Sequence, residues 1–421
     1  MLKYDKFIPL SYFYSMKHLV IIGMVIPEPN STAAGKRMLQ LIDFFSQANY
    51  RISFLTAAGN VEFSFNLKEL NINLFPIEIN SPIFETILQG LQPDVVLYDR
   101  FVTEEQFGWK VAEICPNAIK ILDTEDLHFL RKARENAYKK GLNLNEIDFQ
   151  NEVFIREMAS IYRSDLSLII SEFEYDLLIH TLKVSPDILL YIPLFAEVTP
   201  DSVSFINRKN FVSIGNFLHE PNWQTVLILK HIWPKIKKQI PEAEIHIYGA
   251  YITEKAKQLH NEKQGFWVKG RANSVEEVFN NARVLLAPIP FGAGIKGKLL
   301  DSMRLGLPNI TTKIGAEAMH GNLPWNGFVV EDDDRFVEKA INLYNNQDLW
   351  YQCQKQGYNL VENRYKKEQF YPIFEEKIQS ISTKIKAHRM RNYFGKILLH
   401  HTLQSSKYLG KWIEEKQKNR E

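Results

Sequence analysis

The stretch Pro288–Met303 brings small and basic residues together at a predicted turn between a strand and a helix. It reads PIPFGAGIKGKLLDSM, with three glycines within six residues. Small residues at such a turn let backbone N–H groups approach an anion, and the N-terminus of the following helix adds the positive end of its dipole. Lys296 and Lys298 add two ammonium groups. The pattern predicts a site for a diphosphate. The three glycines are Gly292, Gly294 and Gly297.

One acid close to this turn could extend the site to a nucleotide. Asp301 lies in the first turns of the predicted helix, where its carboxylate could accept hydrogen bonds from ribose hydroxyls. An ordinary glycine-rich turn with solvent-facing lysines gives the same pattern, because the helix dipole favours an acid near a helix N-terminus. The residues alone leave both interpretations open.

A second group of reactive side chains follows the predicted strand Ala118–Leu122. The segment Asp123–His128 contains three acids and a histidine, and it projects from the carboxyl end of the strand, where α/β sheets bind ligands. Carboxylates and an imidazole could bind a divalent metal ion, or His128 could be a hydrogen-bonded structural residue. Asp99 and Arg100 follow the preceding strand and either orient a substrate or pair with each other.

Short runs of β-branched residues alternate with amphipathic helical stretches in both halves of the chain. The helix predicted over Arg37–Ala48, for example, has one apolar stripe that must pack on a sheet. This alternation predicts an α/β protein with two doubly wound, Rossmann-like domains that face each other across a cleft. The predicted strands are Leu19–Ile26, Ile52–Thr56, Val95–Tyr98, Ala118–Leu122, Leu166–Ile170, Phe211–Ile214, Glu244–Tyr248, Gly265–Val268, Arg283–Pro288, Pro308–Thr312 and Gly327–Val330.

A polar stretch over Glu197–Asn210 interrupts the alternation and marks the predicted domain boundary. It includes Pro200, which breaks regular structure, and a new strand begins directly after it. Composition changes again near Ile381. The predicted units are a first domain over residues 1–205, a second domain over residues 206–375 and a basic tail over residues 376–421.

The composition is that of a soluble globular protein and argues against several other classes. In a chain of 421 residues, 45% hydrophobic and 24% charged residues are close to globular averages. No run reaches the roughly 18 apolar residues of a membrane-spanning helix, and residues 1–17 have aromatics and a proline where a signal peptide would have a continuous apolar stretch. Cys115 and Cys353 show no metal-binding spacing, which favours a reducing, cytoplasmic compartment. The net charge of +2 argues against nucleic acid as a partner.

Positive charge is concentrated in the tail. Residues 381–421 contain ten Lys or Arg and three Glu, a net charge of +7, so the rest of the chain carries −5. At helical spacing, one group of apolar residues forms a stripe flanked by lysines and arginines, and a second apolar group follows further along the tail. Such a helix either lies in the headgroup region of an anionic leaflet or packs on the first domain with its lysines in water. The apolar residues are Met390, Phe394, Ile397, Leu398, Tyr408, Leu409, Trp412 and Ile413.

Several separated motifs, in order along residues 17–375, resemble retaining glycosyltransferases of family 4, also called glycosyl transferases group 1. Gly292–Asp301 is similar to the donor site of that family, as are Gly306–Pro308 and Gly315–Glu317. Ser213–Phe217 resembles the opening of the family's second domain, and Asp126–His128 is similar to a bacterial subgroup. The resemblance implies the GT-B fold.

The resemblance also implies an activity and its residues. The expected enzyme, of the hexosyltransferase class, moves a sugar with retention from a nucleotide diphosphate sugar to a glycan or lipid-linked acceptor in bacterial surface-polysaccharide assembly. It needs no cofactor or metal beyond the donor substrate. His128, beside Asp126, is placed near the anomeric carbon as the catalytic residue. The expected donor-binding residues are Gly35, Gly215, Asn216, Gly292, Gly294, Ile295, Lys296, Lys298, Asp301 and Glu317.

The sequence departs from the family pattern at two places. Asp301 corresponds to the second of two paired acids, but the position of the first is Ala293, which leaves Glu317 as the candidate for the sugar hydroxyls. The basic pair that many members carry after Gly215 is also missing, so Lys296 and Lys298 must supply that charge. These gaps keep two alternatives open, a non-catalytic nucleotide-sugar-binding protein and an enzyme like the UDP-sugar 2-epimerases.

Overall fold

The computed structural model describes residues 16–59, 62–144, 147–199 and 203–418. Residues 1–15 and the centre of the predicted domain boundary, residues 200–202, lie outside the described residues. Within the described chain, two parallel sheets form the centres of two α/β domains. The predicted fold class is confirmed.

In the part of the chain that the structure describes, the first domain has seven strands and six α-helices before the chain leaves it. The strands are β1 His18–Gly23, β2 Arg51–Thr56, β3 Asn73–Pro76, β4 Val95–Asp99, β5 Ile119–Asp123, β6 Leu166–Ile169 and β7 Leu189–Tyr191. The helices are α1 Ala33–Gln47, α2 Ile83–Leu91, α3 Arg100–Ile114, α4 His128–Lys139, α5 Glu152–Arg163 and α6 Glu172–Asp176, the last continuing as a π-helical turn over Leu177–Thr181.

The first sheet has the order β3-β2-β1-β4-β5-β6-β7, so the winding reverses between β1 and β4. Side chains of β1 alternate between two cores: Leu19 and Ile21 pack on one face of the sheet, and Val20 and Ile22 pack on the other. All four are fully buried. Burial on both faces explains why this strand is a continuous apolar run rather than an alternating one.

The second domain repeats this winding with six strands. They are β8 Lys209–Ile214, β9 Ile245–Tyr248, β10 Phe266–Gly270, β11 Ala282–Ala287, β12 Asn309–Thr311 and β13 Gly327–Val329, in the order β10-β9-β8-β11-β12-β13. The helices are α7 Glu220–Gln239, α8 Glu254–Lys257, α9 Val275–Asn281, α10 Gly297–Arg304, α11 Lys313–Ala316, α12 Asp333–Asn345 and α13 Gln347–Arg364. Ligands are expected outside the carboxyl ends of such strands, near the reversal of order.

The last part of the chain returns to the first domain. It forms α14 Tyr371–Thr383, α15 Ile385–Arg391 and α16 Tyr393–Lys418. Phe374, Ile378 and Ile381 are buried in one core of the first sheet. The boundary predicted between residues 375 and 376 is therefore misplaced, because residues on both sides of it belong to the core of the first domain.

Polar contacts fix α15 against the same domain. Arg389 donates from Nε and Nη2 to the two carboxylate oxygens of Asp165, each at 2.7 Å. The ring of His388 lies 2.7 Å from the carbonyl oxygen of Asp165. His388 and Arg389 of the tail thus bind the protein itself.

Helix α16 lies against α3 and α5 and leaves an apolar face in solvent. Gly395 lies against the backbone of Tyr162, and Gly410 lies against the ring of Trp109, so the small residues of α16 face the domain. The helix therefore packs on the first domain and still presents apolar groups to water, while its contact with an anionic leaflet stays a prediction. The exposed apolar residues of α16 are Tyr393, Phe394, Ile397, Tyr408, Leu409 and Trp412. Each of them, and Met390 before the helix, is more than half exposed.

Candidate functional site

A cavity of about 550 Å³ lies between the two domains, and both domains line it. Its walls include loops that follow β1, β4 and β5 of the first sheet and β8, β9 and β11 of the second. These are the carboxyl ends of parallel strands, where two doubly wound domains are expected to bind ligands.

Two lysines at the start of α10 line the second-domain wall of this cavity. Lys296 is the residue before the helix, is 9% exposed, and donates from Nζ to the carbonyl of Gly294 at 2.8 Å. Lys298 donates to Oδ1 of Asn222 at 2.7 Å. Burial lowers the pKa of Lys296 to about 8 and that of Lys298 to about 7. An anion in the cavity would stabilise both charged forms.

The glycine-rich turn before α10 has a different role from the one predicted. Gly294 has φ +62°, a conformation that favours glycine, and its N–H donates to Oε1 of Glu174 from the first domain at 2.8 Å. A side chain here would also collide with Asp126. The N–H of Gly294 is thus occupied by a carboxylate, so the turn joins the domains and the lysines remain to contact an anion.

Asp301 lines the cavity and is bound to two basic residues. Nζ of Lys36, from the first domain, lies 2.6 Å from Oδ2, and Nε of Arg304 lies 2.8 Å from Oδ1. A ribose bound as predicted would have to share this carboxylate with Lys36 or displace it.

Two of the predicted donor-binding residues lie behind the cavity surface. Glu317 is absent from the cavity lining, and its carboxylate forms two hydrogen bonds of 2.7 Å with Arg134 of α4. Gly35 is buried, and its N–H donates to the side chain of Thr32, which caps α1. Each of these two residues has its polar group bound within the protein, and their roles in donor binding stay predictions.

The remaining predicted donor residues line the cavity as the sequence suggested. They are Gly215, Asn216, Gly292 and Ile295. Gly215 has no room for a side chain, because a Cβ atom would meet the amide of Asn222. That amide accepts from Lys298, so the loop after β8 and the start of α10 support each other.

His128 and Asp126 lie together on the first-domain wall. His128 is the first residue of α4, and its Nε2 lies 3.3 Å from Oδ1 of Asp126. Burial lowers the pKa of His128 to about 4, so the imidazole is neutral at pH 7. Burial opposes the charge of Asp126, but Arg131, at 2.6 Å, together with His128, His219 and Arg100, outweighs burial and lowers the pKa of that carboxyl.

Two further acids near His128, Asp123 and Asp99, are paired with arginines. Asp123, fully buried, pairs with Arg37 at 3.1 Å, and Asp99 lies 3.5 Å from Nε of Arg100. Among the residues that the structure describes, no group of three or more His, Cys, Asp or Glu side chains could hold a metal ion. The metal-site alternative thus has no support in the described chain.

Two residues at or beside the site, Glu157 and His219, were not predicted from the sequence as site residues. Glu157 is fully buried, and its carboxylate accepts from the N–H groups of His128 and Phe129, which fixes the start of α4. His219, at the start of α7, lines the cavity from the second domain, and burial lowers its pKa to about 4. Glu157 lies on a neighbouring helix, so no local pattern identifies it.

Comparison with known proteins agrees with this geometry. A family model described as glycosyl transferases group 1 matches residues 208–346, the domain that carries the two lysines and Asp301. The second domain is thus similar to the glycosyl transferases group 1. A protein in the cps region of Klebsiella pneumoniae, described as uncharacterised, is 25% identical over 180 residues. The match covers 41% of this chain and 46% of that protein, about half of each.

Solved structures of glycosyltransferases share the whole two-domain architecture. Sucrose-phosphate synthase from Thermosynechococcus elongatus has a TM-score of 0.66 at 12% identity, covering 87% of this chain and 99% of its own. HepE of Anabaena, in complex with UDP and glucose, has a TM-score of 0.61 at 13% identity, with coverages of 86% and 99%. WaaG, a glycosyltransferase involved in lipopolysaccharide biosynthesis, has a TM-score of 0.58 at 10% identity, with coverages of 84% and 99%. The fold is GT-B.

The lowered pKa values of Lys296 and Lys298 predict how nucleotide affinity depends on pH. Only their protonated forms attract an anion, and their pKa values of about 8 and about 7 rise when an anion binds. We therefore expect the affinity for UDP to fall as pH rises from about 7 to 9, by up to about tenfold per pH unit for each lysine. UDP binding should take up protons in this range, measured by calorimetry in buffers of different ionisation enthalpy.

The Lys298→Ala variant should bind UDP more weakly and take up fewer protons, whereas Lys263→Ala, an exposed residue of the same domain, should behave as the wild type. An affinity independent of pH, without proton uptake, would exclude these lysines as the phosphate ligands.

Proposed function

We propose that this chain transfers a sugar from a nucleotide diphosphate sugar to a glycan or lipid-linked acceptor, with retention of the anomeric configuration. The observation that carries the proposal is the pair of lysines at the N-terminus of α10, which line a cavity shared with the first domain. They belong to the domain that matches glycosyl transferases group 1.

The lysines support this reaction because it places negative charge on the leaving phosphate. Donor groups held ready around that charge stabilise the transition state more than the ground state. Ammonium groups and the end of a helix dipole meet at the start of α10. Asp301, which now binds Lys36, would hold the ribose.

His128 is placed to act on the sugar side of the reaction. Its imidazole is neutral at pH 7 and lies beside an ionised Asp126, so the pair can stabilise positive charge that develops at the anomeric carbon. Among the described residues that line the cavity, the acids of the first domain are Glu125 and Asp126, and Asp126 is paired with Arg131. We infer attack from the face of the leaving phosphate, without a covalent enzyme intermediate.

The proposed setting is the assembly of a bacterial surface polysaccharide. The name of WaaG links one structural neighbour to lipopolysaccharide biosynthesis, and HepE was solved with UDP and glucose. These names support a nucleotide-sugar donor and a glycan acceptor for this chain. They do not identify the sugar, the base or the linkage.

The proposal is tested by turnover of a panel of UDP-, GDP- and dTDP-sugars with and without glycan acceptors. The wild type should release nucleotide slowly to water and faster with a suitable acceptor. His128→Ala should lower kcat by about 100-fold with little change in nucleotide affinity, because its contact is made mainly in the transition state.

His180→Ala serves as the control, since that side chain is 76% exposed and lies outside the cavity. Binding of a donor without turnover on the whole panel would favour the non-catalytic alternative. Release of free UDP with no labelled acceptor, together with a new sugar isomer, would favour the 2-epimerase alternative. A loss of thermal stability in His128→Ala would assign that residue a structural role.

We further propose that the enzyme works in the cytoplasm at the inner leaflet of the plasma membrane, which it contacts through α16. The apolar face of this helix remains exposed although its glycines pack on the first domain. Lys416 lies 4.8 Å from the ring of Trp412, and the net charge of the region is +7. Basic and aromatic groups on one face suit an anionic leaflet. None of the described helices has the length and apolarity needed to cross a bilayer.

Vesicle binding tests this contact. The wild type should sediment with vesicles of phosphatidylcholine and phosphatidylglycerol in equal parts but weakly with phosphatidylcholine alone. Replacing Tyr408 and Trp412 together by Ser should lower partitioning by about 10- to 100-fold through lost apolar burial. Ile206→Ser, which removes another exposed apolar residue, should have no effect. Equal binding by the double variant, or the same binding to both lipid mixtures, would contradict the proposal.

A further inference from the structure

Glu125 occupies an unusual position in the loop between β5 and α4. Its backbone has φ +63°, in the left-handed region that residues other than glycine seldom adopt. It also lines the cavity between the domains, on the first-domain wall that includes Met24, Arg100 and His128. The loop therefore keeps an acid at the cavity in a conformation that costs free energy.

The carboxyl group of Glu125 is itself incompletely satisfied. Its Oε1 atom is buried and has no hydrogen-bond partner among the described residues. A buried polar atom without a partner costs stability, and such atoms are few in folded proteins. Neither fold nor packing explains this one, whereas a polar group brought by a ligand would satisfy it.

The charges around Glu125 favour the neutral acid. Burial and the nearby Asp123 raise the pKa of Glu125 well above its ordinary value, and Asp99 acts in the same direction. Arg100 and Arg37 oppose this shift without cancelling it. A neutral carboxyl both donates and accepts a hydrogen bond, which matches the two functions of a hydroxyl group.

We propose that Glu125 binds a hydroxyl group of the acceptor and so helps to select it. The inference rests on the proposed sugar transfer. The lysines and Asp301, which serve the donor nucleotide, lie on the second domain, whereas Glu125 shares the opposite wall with His128. A hydroxylated acceptor that enters along this wall supplies the partner that Oε1 lacks.

Kinetics with a methyl glycoside as the acceptor test this role. Glu125→Ala should raise the KM for the glycoside by about 10- to 100-fold, while donor KM and donor hydrolysis by water stay at wild-type values. Glu125→Gln, which can still donate and accept, should restore most of the affinity. Glu113→Ala, an exposed acid on α3, is the matched control and should change nothing.

Stability separates acceptor binding from a structural role. Because Glu125 has an unsatisfied buried atom, Glu125→Ala should leave the thermal midpoint unchanged or higher. A lower midpoint with equal losses of hydrolysis and transfer would overturn the proposal in favour of a structural role. An unchanged acceptor KM would overturn it directly.

Binding without turnover separates this proposal from the failure of the proposed function. With UDP present, methyl glycosides of glucose, galactose, mannose, rhamnose and N-acetylglucosamine can be tested by saturation-transfer NMR. At least one should bind the wild type and Glu125→Gln but not Glu125→Ala, even if no donor is turned over. Binding of none to the wild type, or equal binding to Glu125→Ala, would contradict the proposal.

Discussion

The site depends on two ammonium groups held at the wall of a cavity between two domains. Burial penalises a lysine charge, and here it lowers the pKa of Lys298 to about 7 and that of Lys296 to about 8. Such groups are costly unless an anion is bound nearby. The start of α10 and residues of the first domain line the same cavity, so together they would enclose such an anion.

Polar contacts between the domains surround the same region. Lys36 binds Asp301, and Arg134 binds both Glu317 and the carbonyl of Gly292. Glu174 accepts from the N–H of Gly294. Each contact joins a side chain of the first domain to the turn, the helix or the loop of the proposed phosphate site. A ribose bound to Asp301, as proposed, would couple donor binding to the arrangement of the two domains, because the ribose and Lys36 would require the same carboxylate.

Much of the fold could be predicted because its signals are local. All eleven predicted strands are present with bounds that differ by at most three residues, since buried parallel strands are continuous apolar runs. The missed strands β3 and β7 have four and three residues. Asn73 and Leu74 of β3 are exposed, so no apolar run distinguishes that strand from a loop.

Residues of the candidate site could be predicted where a local motif carries them. Lys296, Lys298 and Asp301 share a turn and a helix start, and all three line the cavity. Glu174 meets Gly294 across 120 residues of sequence, so spacing could not show that the N–H of Gly294 is occupied. The same holds for Glu317 and Arg134, which are 183 residues apart. Side chains that act between domains are determined by tertiary packing, and their partners have no sequence signature.

A crystal structure of the enzyme with bound UDP tests the central claim most directly. The account requires the diphosphate at the N-terminus of α10, within hydrogen-bonding distance of Nζ of Lys296 or Lys298, with the ribose hydroxyls on Asp301 and Lys36 displaced from it. A diphosphate bound away from α10, with the ion pair of Lys36 and Asp301 intact, would contradict the account.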